Sequence, residues 1–180
     1  FSIIFLFLLS PLLILFIFFI YLEDGFPIFF SEESSGWDGR RFNLFKLRVY
    51  KKNSLNKKPL NDEKEFLRTG KIIKKLRIDE FPQFFNVLKG DMSIVGPRAL
   101  IIKDDLTYGK VFKMFLKRNK AAPGITGWAQ VSGFRGSNPT SASMKKRMEH
   151  DIWYMNNWSI WLDLYIILKT FYIIFTKPIK

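Results

Sequence analysis

Residues 1–22 contain only Ser2 and Ser10 as polar side chains, and no other feature of the chain constrains its folding as tightly. As one helix this run would extend about 33 Å, enough to cross the hydrocarbon core of a bilayer. The rest of the chain must then fold against a membrane. Ser10-Pro11 interrupts the middle of the run. Proline removes an amide donor and crowds the carbonyl four residues back, while a serine hydroxyl can bond a nearby carbonyl. A kink is expected there. A mild kink leaves a spanning anchor, whereas a sharp one returns the helix through the face it entered. The sequence is read as the second: a re-entrant helix-break-helix over 1–22, followed by one domain over 23–180 on the side of the membrane that the helix returns to. No basic n-region or small-residue cleavage site marks a secretory signal. The chain begins without Met, and residues upstream are expected.

The remainder suits one domain and shows no internal repeat. It has no cysteine and a single histidine, His150. Disulfides, thiolate metal sites, cysteine nucleophiles, histidine triads and multi-histidine zinc centres are thereby excluded, so carboxylates must carry any acid, base or nucleophile role. The net charge of +13 is concentrated: between Arg40 and Arg77 stand 14 Lys or Arg against Asp62, Glu63 and Glu65. Such a surface attracts nucleic acid, anionic lipid or a pyrophosphate. Because it follows a membrane helix, lipid contact and a positive-inside topology take precedence over nucleic acid. A solvated basic face used only for orientation would also account for the charge.

Asp79-Glu80 opens the stretch richest in chemistry. Phe81, Phe84, Phe85 and Leu88 recur at i, i+3, i+4 and i+7, which predicts a helix with that face buried. Pro82 suits only its first turn, and Lys89-Gly90 supplies a cationic last turn and a stop. The two acids therefore fall at the helix N-terminus, where free amides and the macrodipole stabilise carboxylates and can receive phosphate. Capping alone would account for Asp79, but not for Glu80 or for the Gly96-Pro97-Arg98 turn that follows.

Elsewhere, Asp24-Gly25-Phe26-Pro27 predicts a turn at the membrane exit and Ile28-Phe29-Phe30 a short strand. Gly36-Trp37-Asp38-Gly39 reads as a hairpin turn, with Phe42 to Leu47 as the returning strand and Lys46 and Arg48 on one of its faces. Residues 51–61 read as a polar loop ending at Asn61, a cap, after which Asp62 and Glu63 open a helix towards Lys75. Phe66, Ile73 and Leu76 should point inward on it, with Gly70 as a weak point. Lys103 to Arg118 and Ser143 to Met155 are expected helices, Pro123 to Gly127 a tight turn and Trp128 to Val131 a strand. Trp158 to Phe175 is apolar but interrupted by Asp163 and Lys169, each costing about 2.5–3.5 kcal/mol at a bilayer centre. It is expected to lie in the interface, with Trp153, Trp158 and Trp161 at headgroup depth. The fold class is α+β: mostly short helices, a small hairpin-based sheet and the membrane segment.

In this order the motifs resemble the bacterial sugar transferases, the monotopic polyprenyl-phosphate phosphoglycosyl transferases that begin capsule, exopolysaccharide, O-antigen or glycoprotein glycan assembly. The resemblance covers nearly the whole chain. It includes Ser10-Pro11, Asp24-Gly25 with Pro27 to Phe30, Gly36 and Gly39, Lys46 and Arg48, Asp79 to Arg98, Pro123 to Val131, and Asn157 to Leu164. Gly133-Phe134-Arg135-Gly136 is similar to the larger members, whose catalytic domain follows several membrane helices and a further domain. That implies a fragment of a longer protein.

The resemblance implies ping-pong transfer of a sugar phosphate from a UDP-sugar to a polyprenyl phosphate such as undecaprenyl phosphate, with release of UMP, at the cytoplasmic face of the bacterial inner membrane. It implies Asp79 as nucleophile, Glu80 as its assistant and Mg2+ held by both. An aspartyl phosphate is reactive enough to pass its phosphosugar on, and a divalent ion offsets charge as UMP leaves. Arg98, with Pro97 in its turn, is the implied phosphate clamp, because guanidinium grips phosphate through a fixed fork; a surface salt bridge is the alternative. Lys46 and Arg48 match further cations of the family pattern, though a hairpin face touching lipid headgroups explains them almost as well. Gln130 and Asp151 match positions near the site. Asp151 could equally pair with Arg147 at i−4, and Trp128 suits the core better than a uracil platform. The implied partners are the nucleotide sugar, the polyprenyl phosphate and membrane lipid, not nucleic acid; a homo-oligomer is compatible with the sequence.

Departures from the family pattern fall around the substrate pocket and spare the carboxylate pair. Glu32 and Ser34 stand where Gln and Arg are common, Arg77 where Ser is usual, Ala99 where a second Pro follows the clamp, and Leu47 and Tyr50 where Phe and Met are common. They leave room for a weakly active member. A membrane-anchored polyanion-binding module or a non-catalytic scaffold would account for the basic segment or the anchor, but not for Asp79, Glu80, Asp91 and Arg98 together.

Overall fold

The computed structural model describes residues 2–54, 65–102, 117–135 and 140–176. The architecture is α+β. Helix α1 (Ser2–Asp24) leads into a hairpin of β1 (Phe29–Ser35) and β2 (Arg41–Leu47). Next come α2 (Arg68–Leu76), α3 (Gln83–Lys89), β3 (Ser93–Val95) and β4 (Leu100–Ile101). The chain closes with β5 (Gly124–Thr126), α4 (Trp128–Val131), α5 (Ser141–Asn156) and α6 (Ile160–Thr176). One sheet is antiparallel in the order β2-β1-β4, and β3 pairs with β5 in parallel.

The helix α1 continues through Pro11, and the segment Leu6–Asp24 is long and apolar enough to cross a membrane. The Phe7 carbonyl, which Pro11 cannot bond, accepts instead from Ser10 Oγ at 2.8 Å. That exchange matters in lipid, where no water can satisfy a stranded carbonyl. One stripe of the helix, Leu13, Phe16 and Ile20, is buried in a cluster with Ile28, Leu47, Val49, Leu67, Ile73 and Ile78. The opposite stripe, Phe7, Ile14, Phe18 and Leu22, is exposed. Two carboxylates fasten its end. Glu23 accepts from the Arg68 and Thr69 amides at 2.6 and 2.9 Å, capping α2, and Asp24 pairs with Arg48 and accepts from the Lys52 amide at 2.7 Å.

Local patterning missed several features that long-range packing imposes. Strand β1 runs to Ser35 rather than Phe30, because pairing with β2 along its whole length satisfies a backbone whose side chains are largely polar. The helix α2 begins at Arg68, its cap supplied by Glu23 from α1. Asn61, Asp62 and Glu63 lie outside the described residues, as do 103–116 of the next expected helix. Phe66 bridges Tyr50 across the chain rather than lying on α2, and Leu76 is exposed where it was expected inward. Gly70 is no weak point: any β-carbon there would collide with the Val49 carbonyl, so glycine is what lets α2 lie so close. Trp128–Val131 is helical, and the strand lies inside the expected turn. Gly124 and Gly127 rest directly on the backbone of Gly96, an approach that admits no side chain and brings β5 beside β3.

The helix α3 buries Gln83, Phe84 and Asn86, while Phe85 and Leu88, expected inside, are exposed on a helix that packs beside α1. In α6 both charges are turned to partners. Asp163 accepts from the Tyr154 hydroxyl at 2.7 Å and the Trp158 indole at 3.2 Å, and Lys169 Nζ lies 5.3 Å from the Trp128 ring centroid. Trp161, Leu164, Leu168 and Tyr172 are left as an outward apolar face.

Candidate active site

The helix α2 ends at Arg77, a non-glycine residue in the left-handed region (φ 59°), and the chain turns through a 3-10 segment, Ile78–Glu80, before entering α3. This reversal tucks Asp79 beneath the last turn of α2, where it is 3% exposed and Lys74 Nζ reaches its Oδ2 at 2.8 Å. Asn86 anchors the start of α3: its Oδ1 accepts from the Phe45 amide at 3.1 Å, and its Nδ2 donates to the Asn43 carbonyl at 2.8 Å and to Asp91 at 3.2 Å. The carboxylate pair is thereby fixed against the hairpin.

Glu80 meets Arg98, whose NH2 lies 3.1 Å from Oε1. The turn carrying Arg98 is held to β5, since the Gly124 amide donates to the Pro97 carbonyl at 2.8 Å. Lys46 on β2 is bonded to Glu32 at 2.5 Å, diagonally across the hairpin, and its charge acts on both Asp79 and Glu80. Burial pushes the Asp79 carboxyl up and the neighbouring Glu80 charge adds to it, with Lys74 and Lys46 pulling the other way without prevailing. Burial also opposes the Glu80 charge, but there Arg98, Lys74 and Lys46 outweigh it and hold the carboxyl below the ordinary range. Two adjacent acids therefore differ in proton affinity because their cations are unequally shared, a hallmark of acid–base and nucleophilic sites.

The structure thus brings Asp79, Glu80, Arg98 and Lys46 together. Arg48, grouped with Lys46 from strand alternation, goes elsewhere. The strand β2 ends at Leu47, and the Arg48 guanidinium, 1% exposed, closes on Asp24 and on the Gly25 carbonyl at 2.7 Å. Pro97 is buried and serves through its carbonyl. Asp151 meets Arg118 at 2.7 Å, with the Arg147 charge also acting on it, and Arg118 NH2 donates in turn to the Arg98 carbonyl. Gln130 is buried on α4 and lines a cleft with Arg77. Lys74 and Arg118 were missed. Lys74 sits among so many cations that only the reversal at Arg77 distinguishes it, although its place one turn before Asp79 was a usable signal.

Such a pair, beside an apolar helix, is the arrangement that the sequence of motifs pointed to, and the sequence model of one family, described as bacterial sugar transferase, matches residues 1–177. The chain belongs to the bacterial sugar transferase family. It is 41% identical over 149 residues to a UDP-glucose:undecaprenyl-phosphate glucose-1-phosphate transferase of Xanthomonas campestris pv. campestris, covering 80% of this chain and 31% of that protein. It is also 41% identical over 150 residues to the sugar transferase EpsL of Bacillus subtilis, covering 83% of this chain and 70% of that one. Over 172 residues it is 38% identical to a UDP-N-acetylgalactosamine-undecaprenyl-phosphate N-acetylgalactosaminephosphotransferase of Aeromonas hydrophila, covering 94% of this chain and 40% of that protein. The chain spans about a third of the length of the Xanthomonas relative.

The donor chemistry of this family member also bears on a metal. Mg2+ is commonly held by one or two carboxylates, with substrate phosphates and water completing its shell. Asp79 and Glu80 are adjacent hard-oxygen donors of that kind, and among the described residues no third His, Asp or Glu groups with them. They fit a shared ion, in competition with Lys74 and Arg98.

Proposed function

We propose that the chain transfers a sugar phosphate from a UDP-sugar to undecaprenyl phosphate or a similar polyprenyl phosphate, releasing UMP, through a phosphosugar carried on Asp79. The buried Asp79-Glu80 pair, each acid matched to its own cation, is the observation that carries this reading. The named activities of the relatives supply the substrates. An Asp79 carboxylate oxygen attacks the phosphorus bearing the sugar, and the bond to UMP breaks, with the electron pair leaving on UMP. An oxygen of the lipid phosphate then attacks the same phosphorus, the bond to Asp79 breaks and the carboxylate is restored. Lys74 holds the attacking carboxylate in place and favours its ionised form. Glu80 orients the Arg98 fork, whose remaining N–H groups are free to grip a phosphate oxygen. Mg2+ held by Asp79 and Glu80 would offset charge on the departing nucleotide.

The site of action we propose is the cytoplasmic face of the bacterial inner membrane, as the first membrane step of exopolysaccharide, capsule, O-antigen or glycoconjugate assembly. We propose a re-entrant course for α1, with Leu13, Phe16 and Ile20 holding its second half to the domain. The outward apolar face of α6 supports an interfacial position for that helix. The decisive experiment supplies one UDP-sugar at a time without lipid, quenches the reaction and examines the Asp79 peptide by mass spectrometry. A phosphosugar adduct with matching UMP release is expected, and neither should form in Asp79→Asn. UMP release only when both substrates are present, with no adduct, would overturn the covalent mechanism.

A further inference from the structure

Where the ends of α2 and α4 meet α6 lies a cleft of about 470 Å3, lined among others by Arg77, Gln130, Ser132, Arg135, Lys169 and Ile173. It holds three cations and, among the described residues, no carboxylate. Two of its side chains leave buried polar atoms unbonded: Gln130, 2% exposed, at Oε1, and the half-buried Arg135 at Nε and NH1. The Gln130 amide has a defined sense, since Nε2 donates to the Ile125 carbonyl at 3.4 Å and the reversed amide would set oxygen against oxygen. The unfilled group is therefore an acceptor. Lys169 is held in position over the Trp128 and Tyr165 rings.

Buried polar groups without partners are costly, and their chemistry describes what would complete them. Arg135 and its neighbouring cations call for anionic oxygens; Gln130 Oε1 calls for an N–H or O–H. A polyprenyl phosphate dianion offers the first and lacks the second. A nucleotide offers both. Arg77 joins the cleft to the carboxylate pair, standing two residues before Asp79 with its charge acting on Glu80 and Asp79.

We infer that this cleft binds the nucleotide half of the donor: Arg77, Arg135 and Lys169 take phosphate oxygens, and Gln130 Oε1 accepts from a base imide or a ribose hydroxyl. The assignment rests on the transfer reading above and deepens it. Arg77, a departure from the family pattern in sequence, becomes in space the link between nucleotide and nucleophile.

Calorimetric titration of the full chain in nanodiscs with UMP, uridine, farnesyl phosphate and inorganic phosphate tests this. Arg135→Met should weaken UMP binding about tenfold or more and leave uridine unchanged, while Gln130→Leu should weaken both about tenfold. Farnesyl phosphate should respond little to Gln130→Leu. Thermal unfolding of each variant separates a lost contact from a lost fold, and Gln130→Glu, close in shape but anionic, should weaken UMP further still. Unchanged UMP affinity in folded Arg135→Met and Gln130→Leu overturns the assignment, as does a loss confined to farnesyl phosphate, which gives the cleft to the lipid. The transfer reading fails separately, if the wild-type chain forms neither adduct nor UMP from any UDP-sugar; wild-type turnover with unshifted KM in both variants sinks the cleft alone.

Discussion

At the foot of α1, Asp24 faces Arg48; at the end of α2, Asp79 faces Lys74 and Glu80 faces Arg98. Both regions pair carboxylates with cations, yet they are completed differently. The Arg48 guanidinium also meets the carbonyls of Asp24, Gly25 and Tyr50, and Asp24 also accepts the Lys52 amide, so main-chain groups complete the pair at every point but Arg48 Nε. At the site, Asp79 bonds a single ammonium and stands beside another acid, and its carboxyl is pushed up by burial and by that neighbour. A pair completed by backbone becomes part of the scaffold. A pair left short of donors retains unused bonding capacity on its carboxylate and its cations, the condition in which perturbed groups serve as candidates for chemistry.

The sharpest way to break this contrast is to remove one member from each region. Asp79→Asn should abolish turnover without loss of stability. Its raised folded-state value means that the native state binds the proton more tightly than the unfolded chain; stability from this group is present at low pH and is lost as pH rises through the folded value, so ionised Asp79 costs stability at neutral pH. Arg48→Met should instead destabilise the fold by about 1–3 kcal/mol, because the half-buried Asp24 carboxylate and the Gly25 carbonyl lose their donor. Thermal unfolding in matched detergent compares the two, and an equal loss in both would erase the distinction. A smaller effect should come from Lys74→Met. The attacking form of Asp79 is ionised, so the rate of UMP release falls as pH drops through its raised value; without the Lys74 ammonium that limb should move to still higher pH. A pH–rate profile that does not move would remove Lys74 from the mechanism. The smallest change expected is for Glu23→Ala, which uncaps α2 at a cost of about 1 kcal/mol. Faster hydrogen exchange at the Arg68 and Thr69 amides, with the Asp79 adduct still forming, is the expected reading.

Much of the site was legible because it is local. Asp79 and Glu80 are adjacent, the helix after them carries its own start and stop, and Gly96-Pro97-Arg98 is a compact turn. The misread elements share one cause, a partner distant in sequence. The Phe85 and Leu88 stripe implied a protein core, yet α3 lies beside α1 and leaves both exposed. Strand alternation put Arg48 with Lys46, but β2 stops one residue short of Arg48 and the side chain turns to α1. The glycines of 124–127 suggested a turn, whereas their use is close approach to Gly96 in a parallel pair.

Composition and local spacing alone determined a first helix long and apolar enough to cross a membrane, the exclusion of cysteine and multi-histidine chemistry, the α+β class and the carboxylate pair. Those are properties of residue type and of separations within a few turns, fixed by short-range sterics and by the cost of exposing apolar side chains to water. Only the tertiary structure decided which cation serves which acid: Lys74 for Asp79, Arg98 for Glu80, Arg48 for Asp24, and Arg118 for Asp151. Ion pairing depends on burial and on distances of a few ångströms. In a chain with 29 Lys and Arg, neither is set until α1, the hairpin and the turn at Arg77 have closed around the site.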